Sequence, residues 1–273
     1  MLFSYKLFSL VIVVLLLLIN GCTQFNNKID TAIVKYSLKK EVLKTSIHDH
    51  VVFHNSMKKK TKIHIYIGGD GIPWIKGKWI SSDPTSSDPL ILRLMVVDSA
   101  HSILMGRPCY FGLAVKESCT SEMWTSARYS KNVLNSMEAA VREVSGDSEV
   151  VLFGYSGGAV IATLLANRLS NVVSVVTIAG NLDIKNWARE KGFLPLNHSI
   201  NPIELAYTRS DILFIHIIGM MDKVVPPSIT ESFIKKHGGT VWKYPHFGHK
   251  CCWESEWPNI LSRLDQAFID RRY

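Results

Sequence analysis

Residues 148–169 read SEVVLFGYSGGAVIATLLANRL, and this stretch decides the fold. It opens on a short apolar run, Val150 to Phe153, with the length and composition of a buried strand. Gly154-Tyr155-Ser156-Gly157-Gly158 follows at once. Beyond it Ala162, Leu165, Ala166 and Leu169 recur at i, i+3, i+4 and i+7, one face of a helix. A serine on so tight a turn is held in a strained conformation with its oxygen exposed. Glycines two residues to either side let neighbouring chain pass where a Cβ would clash. The helix start then offers unpaired N–H groups to a developing negative charge. The bare five-residue pattern is common in turns, so its context carries the weight. Ser156 is a candidate nucleophile that needs a base, an acid and an oxyanion site from elsewhere in the chain.

Downstream, Val172–Ile178 and residues 212–218 are near-continuous apolar runs, as expected of parallel strands covered on both faces. Gly219-Met220-Met221-Asp222 stands directly after the second run. Pro226 and Pro227 open a helix that Gly238 and Gly239 close, and Thr240–Tyr244 is a last strand. His246-Phe247-Gly248-His249 follows it, and Pro258 starts a terminal amphipathic helix through Ile260, Leu261, Leu264, Ala267 and Phe268. His249 is placed to take the serine's proton, and Asp222 to orient the imidazole and stabilise its cation. Each has a rival. Asp183 follows the earlier strand, but it sits in a turn with Gly180-Asn181-Leu182, where Asp bonds its own backbone. His246 directly follows Pro245 at the strand end, whereas three more loop residues give His249 room to fold back. A zinc reading of His246, His249, Cys251 and Cys252 competes, but adjacent cysteines cannot easily both reach one tetrahedral ion. The expectation is no metal and no organic cofactor.

Upstream, residues 63–67 (IHIYI) alternate as a strand does and stop at Gly68-Gly69-Asp70-Gly71-Ile72-Pro73-Trp74. Three glycines in four residues allow close approach of backbone to a ligand. Segments around residues 33–43 and 47–54 read as the first strands, and residues 58–62 as a turn. Asp88 is an N-cap with Pro89 as the first residue of a helix that continues over 90–97. Ile103-Leu104 begin a strand leading to Gly106-Arg107-Pro108-Cys109-Tyr110-Phe111. Ser130 introduces a helix with Val133, Leu134, Met137, Ala140, Val141 and Val144 on one side, ended by Gly146. Strands alternating with helices indicate a doubly wound α/β fold with a mostly parallel sheet. No repeat or internal linker interrupts residues 31–273, which read as one domain. Trp74, Trp124 and Trp187 are candidates to line an apolar pocket, although the core is the commoner place for tryptophan.

Residues 1–22 read as a targeting segment: Lys6, then an unbroken apolar run from Leu10 to Ile19, then Asn20-Gly21-Cys22. The ending resembles a bacterial lipoprotein signal, in which the cysteine becomes lipidated and N-terminal. An uncleaved anchor and a plain secretory peptide are the rival readings, the first with an apolar run short for a span. The expected place is the bacterial cell envelope, lipid-anchored at Cys22 and facing the periplasm or exterior, with residues 23–30 as a polar tether. A hydrophobic content of 47% with 20% charged residues excludes bulk disorder in this 273-residue chain. The net charge of +8 is spread thinly. Its runs at 58–60 and 271–272 read as solvated surface with some allowance for an anionic membrane, and no nucleic-acid partner is expected. Of five cysteines, four remain without Cys22. Cys109 and Cys119, ten residues apart across a loop, are expected to be bonded, and the state of Cys251 and Cys252 is left open.

The phrases GGDGIPW, DPTSSDPL, GRPCYF, GYSGG, AGNLD, GMMDKVVP and HKCCW, spread over residues 63–258, resemble those of α/β-hydrolases. The likeness is closest to a set of bacterial lipoproteins of that fold. It implies a triad of Ser156, Asp222 and His249, with the backbone N–H groups of Gly157 and Asp70 as oxyanion donors. It also implies hydrolysis of a small carboxylic ester or thioester through an acyl-enzyme. One departure is Gly68, where those relatives carry an acidic residue. Acyl transfer or amide cleavage would use the same residues, and a non-catalytic envelope binding protein would have no need of the full set.

Overall fold

A computed structural model describes residues 27–55, 62–87 and 90–270. The signal segment with Cys22, residues 23–26, the basic run 58–60, Asp88 with Pro89, and residues 271–272 lie outside the described residues. Among the described residues an eight-stranded sheet carries strands from the whole chain. Its order is β1 (Lys39–Leu43), β2 (His50–His54), β6 (Ser102–Met105), β3 (Lys62–Ile67), β7 (Glu149–Tyr155), β8 (Val172–Ile178), β9 (Leu213–Gly219) and β10 (Thr240–Tyr244). From β6 to β10 every pairing is parallel, and β2 runs antiparallel to both its neighbours. A separate two-stranded hairpin, β4 (Trp74–Ile75) with β5 (Trp79–Ile80), leaves the chain after β3.

Among the described residues seven helices cover the sheet: α1 (Asn27–Lys35), α2 (Leu90–Val96), α3 (Lys131–Ser145), α4 (Gly157–Ala166), α5 (Ile184–Glu190), α6 (Pro227–His237) and α7 (Trp253–Asp270). The central strands are apolar on both faces because both are buried. Along β7, Val150 and Leu152 pack with α3 and α4 on one side. Val151, Phe153 and Tyr155 pack with α1, α2 and α7 on the other. There Phe153 stacks on Tyr66 with centroids 4.4 Å apart and meets Trp257 edge-on. Ser130 caps α3, its hydroxyl accepting from the Val133 N–H, and Gly146 ends the helix at φ 53°.

Three expectations change. The chain from Asn27 to Lys35 is a helix, which corrects the strand expected near Ile33 and the part of the expected tether that falls on residues 27–30. Ile29, Ala32, Ile33 and Tyr36 share one face and pack on the second layer. The terminal helix begins at Trp253, not Pro258, so the proline lies inside α7. Trp253, Trp257, Ile260 and Leu264 are buried at helical spacing, and that stripe outweighs the single backbone bond the proline removes. The hairpin after β3 was not anticipated at all.

Candidate active site

Ser156 sits between β7 and α4 at φ 52° and ψ −120°, a conformation that costs a non-glycine residue roughly 1–3 kcal/mol. The turn is held by Ser156 N–H donating to Ile178 C=O (2.9 Å) and Ala159 N–H donating to Ser156 C=O (3.0 Å). The flanking glycines are steric requirements. A Cβ on Gly154 would lie 2.5 Å from Ala159 Cα, and one on Gly158 would lie 2.1 Å from the Ile67 carbonyl oxygen. Helix α4 can press against the end of β3 only because those atoms are missing.

Asp222 follows β9 and His249 follows β10, and the fold brings both to the serine. His249 Nε2 lies 3.1 Å from Ser156 Oγ, and His249 Nδ1 lies 2.7 Å from Asp222 Oδ2. With Nδ1–H donating to the carboxylate, Nε2 is left as the acceptor of the serine hydroxyl. The other Asp222 oxygen accepts the N–H groups of Val224 (2.8 Å) and Val225 (2.9 Å), so the carboxylate is buried and fixed. The His249 carbonyl accepts Tyr155 Oη–H (3.0 Å) and Trp253 Nε1–H (2.9 Å), which pins its loop from two sides. The rivals lie elsewhere. Asp183 caps α5 by accepting the Asn186 N–H and also faces Asn201 and Ser232. His246 is exposed. Cys251 and Cys252 are bonded to each other, which leaves no thiolate for a zinc ion.

The amides of Asp70 and Gly157 face no hydrogen-bond acceptor among the described residues. The Asp70 side chain has a role that its place in a glycine loop does not announce. Its carboxylate receives Arg107 Nη1 (2.6 Å), Arg128 Nη1 (3.0 Å) and the Tyr129 hydroxyl (2.6 Å). Burial alone would raise its pKa, but Arg128, Arg107 and Tyr129 outweigh burial and hold it below the usual carboxylate range. The cluster lies directly against the elbow: a Cβ on Gly157 would be 2.0 Å from Asp70 Oδ1. A lone carboxylate there would oppose a developing oxyanion. Two guanidinium groups against one carboxylate reverse the sign, leaving the cluster with one positive charge in excess. Arg107, Arg128 and Tyr129 were missed as site residues. The local sequence offers at most an arginine directly before an aromatic, Arg128-Tyr129, which does not reveal what the pair faces.

Ser156 and His249 open on a cavity of about 360 Å³ with walls that include Ile72, Leu90, Ile91, Leu104, Met105 and Tyr155. Of the three candidate tryptophans only Trp187 reaches it; Trp124 is in the core and Trp74 opens the hairpin. Gly68 lines the same cavity. Cys109 and Cys119 are joined, as expected, closing the loop that begins two residues after Arg107.

Sequence comparison finds no matching family model and no matching curated protein. The fold has many solved counterparts. The esterase Pf2001 of Pyrococcus furiosus superposes with a TM-score of 0.59 at 15% identity, over 88% of this chain and 95% of that one. A membrane phospholipase A described as a bacterial virulence factor gives 0.59 at 15%, over 97% and 98%. Mouse α/β hydrolase domain-containing protein 10 gives 0.58 at 13%, over 86% and 100%. Such identities establish a shared architecture: the chain has the α/β-hydrolase fold.

Proposed function

From this fold we propose that the protein is a serine hydrolase that cleaves a carboxylic ester or thioester through an acyl-enzyme on Ser156. The observation that carries the reading is the unbroken chain Ser156–His249–Asp222 at the wall of an apolar cavity. Ser156 Oγ adds to the acyl carbon while His249 Nε2 takes its proton. Asp222 holds the imidazole in the required tautomer and stabilises the imidazolium. Negative charge on the acyl oxygen falls toward the amides of Asp70 and Gly157. The imidazolium then protonates the departing alcohol or thiol, leaving an ester on Ser156. A water that gives its proton to His249 cleaves this ester, releasing the acid and restoring the serine. One water is consumed for each bond broken.

Ser156→Ala should fold as the parent does and lose ester turnover and fluorophosphonate labelling by about a thousandfold or more. Undiminished labelling of the variant would remove the assignment. Acyl transfer and amide cleavage use the same groups, and product analysis with competing acceptors distinguishes them. The cellular placement proposed with this activity is the envelope, through a lipid on Cys22. Mass spectrometry of the protein from a bacterial host should find a diacylglyceryl mass on an N-terminal Cys22, and a chain retaining Met1 would refute it.

A further inference from the structure

Four loops gather at the edge of the sheet where the parallel strands end: residues 71–82, 191–198, 220–228 and 244–252. Their composition differs from the rest of the surface. The β4–β5 hairpin in the first stands clear of the body, since a Cβ on Gly77 at its tip would meet nothing within 4 Å. Lys78 N–H donating to Ile75 C=O (3.1 Å) closes the tip. Ile75, Trp79 and Ile80 are exposed on it, Trp79 to 61%. The base of the hairpin, Gly71 to Pro73, lines the cavity that holds Ser156. Across the mouth Phe193 and Val224 line that cavity too and are themselves exposed, with Leu194 at 70% and Met221 at 58% beside them. These two loops form one rim: Lys191 Nζ donates to Lys223 C=O (2.7 Å) and Trp187 Nε1 to Val224 C=O (2.8 Å).

Charge separates this rim from an ordinary surface. The four loops carry Lys76, Lys78, Lys191, Lys223 and Lys250, while their one acidic residue is Asp222, buried against His249. A rim built for solvent mixes both signs and keeps large apolar side chains few. Apolar tips ringed by lysine match an anionic bilayer, with side chains among the acyl groups and ammonium groups at the phosphates. Helix α1 enters from the same side, since its Ile29 lines the cavity. A lipid on Cys22, five residues earlier, would hold Asn27 within about 18 Å of the bilayer. We propose that this rim docks on an anionic lipid bilayer and that an acyl ester of a membrane lipid enters the Ser156 cavity from that surface. The substrate half rests on the hydrolase reading; the docking half does not.

The test uses the full chain reconstituted into vesicles of phosphatidylcholine, with or without a third of phosphatidylglycerol, containing lipids brominated in their acyl chains. The difference between wild type and Trp79→Phe isolates the emission of Trp79, which should be quenched strongly in the anionic vesicles and much less in the neutral ones. Lys76→Glu/Lys78→Glu should bring quenching down to the neutral level and lower hydrolysis of a vesicle-borne ester about tenfold. Turnover of a soluble p-nitrophenyl butyrate by that variant should stay within about twofold, which also reports that it folds. Absent quenching of Trp79, equal quenching in both vesicles, or a Trp79 shielded only by self-association of the chain would each overturn docking. Quenching as expected, with neither ester hydrolysed by wild type, would instead retain docking and sink the hydrolase reading.

Discussion

At the scale of single residues the candidate site divides into the groups proposed to react, Ser156, His249 and Asp222, and the groups that hold charge around Asp70. Asp222→Asn should leave a folded protein and cost about ten-thousandfold in turnover, because the amide favours the wrong tautomer of His249. Asp183→Asn should stay within about tenfold, since that carboxylate caps α5. A steady-state comparison of the two decides the acid, and collapse in the Asp183 variant alone would reassign it. Asp70 fails differently. Asp70→Asn strands two buried guanidinium groups without their counter-charge, and urea unfolding should show a loss of about 3–5 kcal/mol. Tyr129→Phe removes one charged hydrogen bond and should cost about 1–3 kcal/mol. Ser156, Asp222 and His249 could be singled out in the sequence because each follows a segment that reads as a strand, an apolar run before Ser156 and Asp222 and a β-branched and aromatic one before His249. The arginines were not, because nothing local to positions 107 and 128 reveals that both point at position 70.

At the scale of elements, the strands buried on both faces read clearly and the peripheral pieces did not. Val172–Ile178 keeps the bounds read from the sequence, since a continuous apolar run has one stable use in a parallel sheet, and the edge strand Thr240–Tyr244 keeps them because Gly239 and Pro245 bracket a short β-branched and aromatic segment. Helix α1 was obscured by its polar first turn and by β-branched Ile33 and Val34, which locally favour a strand; packing of Ile29 and Ala32 decides the outcome. The β4–β5 hairpin buries too little to leave a pattern. The Cys109–Cys119 bond is the element-level staple of the loop next to Arg107. Replacing both cysteines by alanine should lower stability by about 2–3 kcal/mol, the closure entropy of so short a loop, measured by chemical denaturation under non-reducing conditions.

For the whole molecule, acid should be the weak side. His50 donates Nδ1–H to the Gly106 carbonyl (2.8 Å) and meets Ser136, while His216 faces Thr177 (2.8 Å); both are buried. Burial lowers the pKa of each to about 4, with the bond to Gly106 only partly offsetting it for His50. As pH falls below about 6.5 the unfolded chain binds protons at both sites and the folded chain does not, so stability falls until about pH 4. At full extent each histidine accounts for about 3 kcal/mol. The depressed carboxylates Asp70 and Asp98 act lower: their contribution is intact above the ordinary carboxylate pKa and is lost only as pH drops through their folded values. Urea midpoints at pH 7.5, 5.5 and 4 should fall in step, and His216→Gln should flatten the upper part of that slope. An unchanged slope in the variant would refute the assignment. The contact between Asp70 Oδ1 and the missing Cβ of Gly157 has a further reach, into heredity. No side chain can enter position 157 while a carboxylate occupies position 70, and the carboxylate cannot leave while two arginines depend on it. Losing either the aspartate or an arginine alone leaves buried charge unpaired, and the Tyr129 hydroxyl, 2.5 Å from the same missing Cβ, also guards position 157, so no one of these residues is exchanged cheaply by itself. Descendants should show the four positions drifting together or not at all.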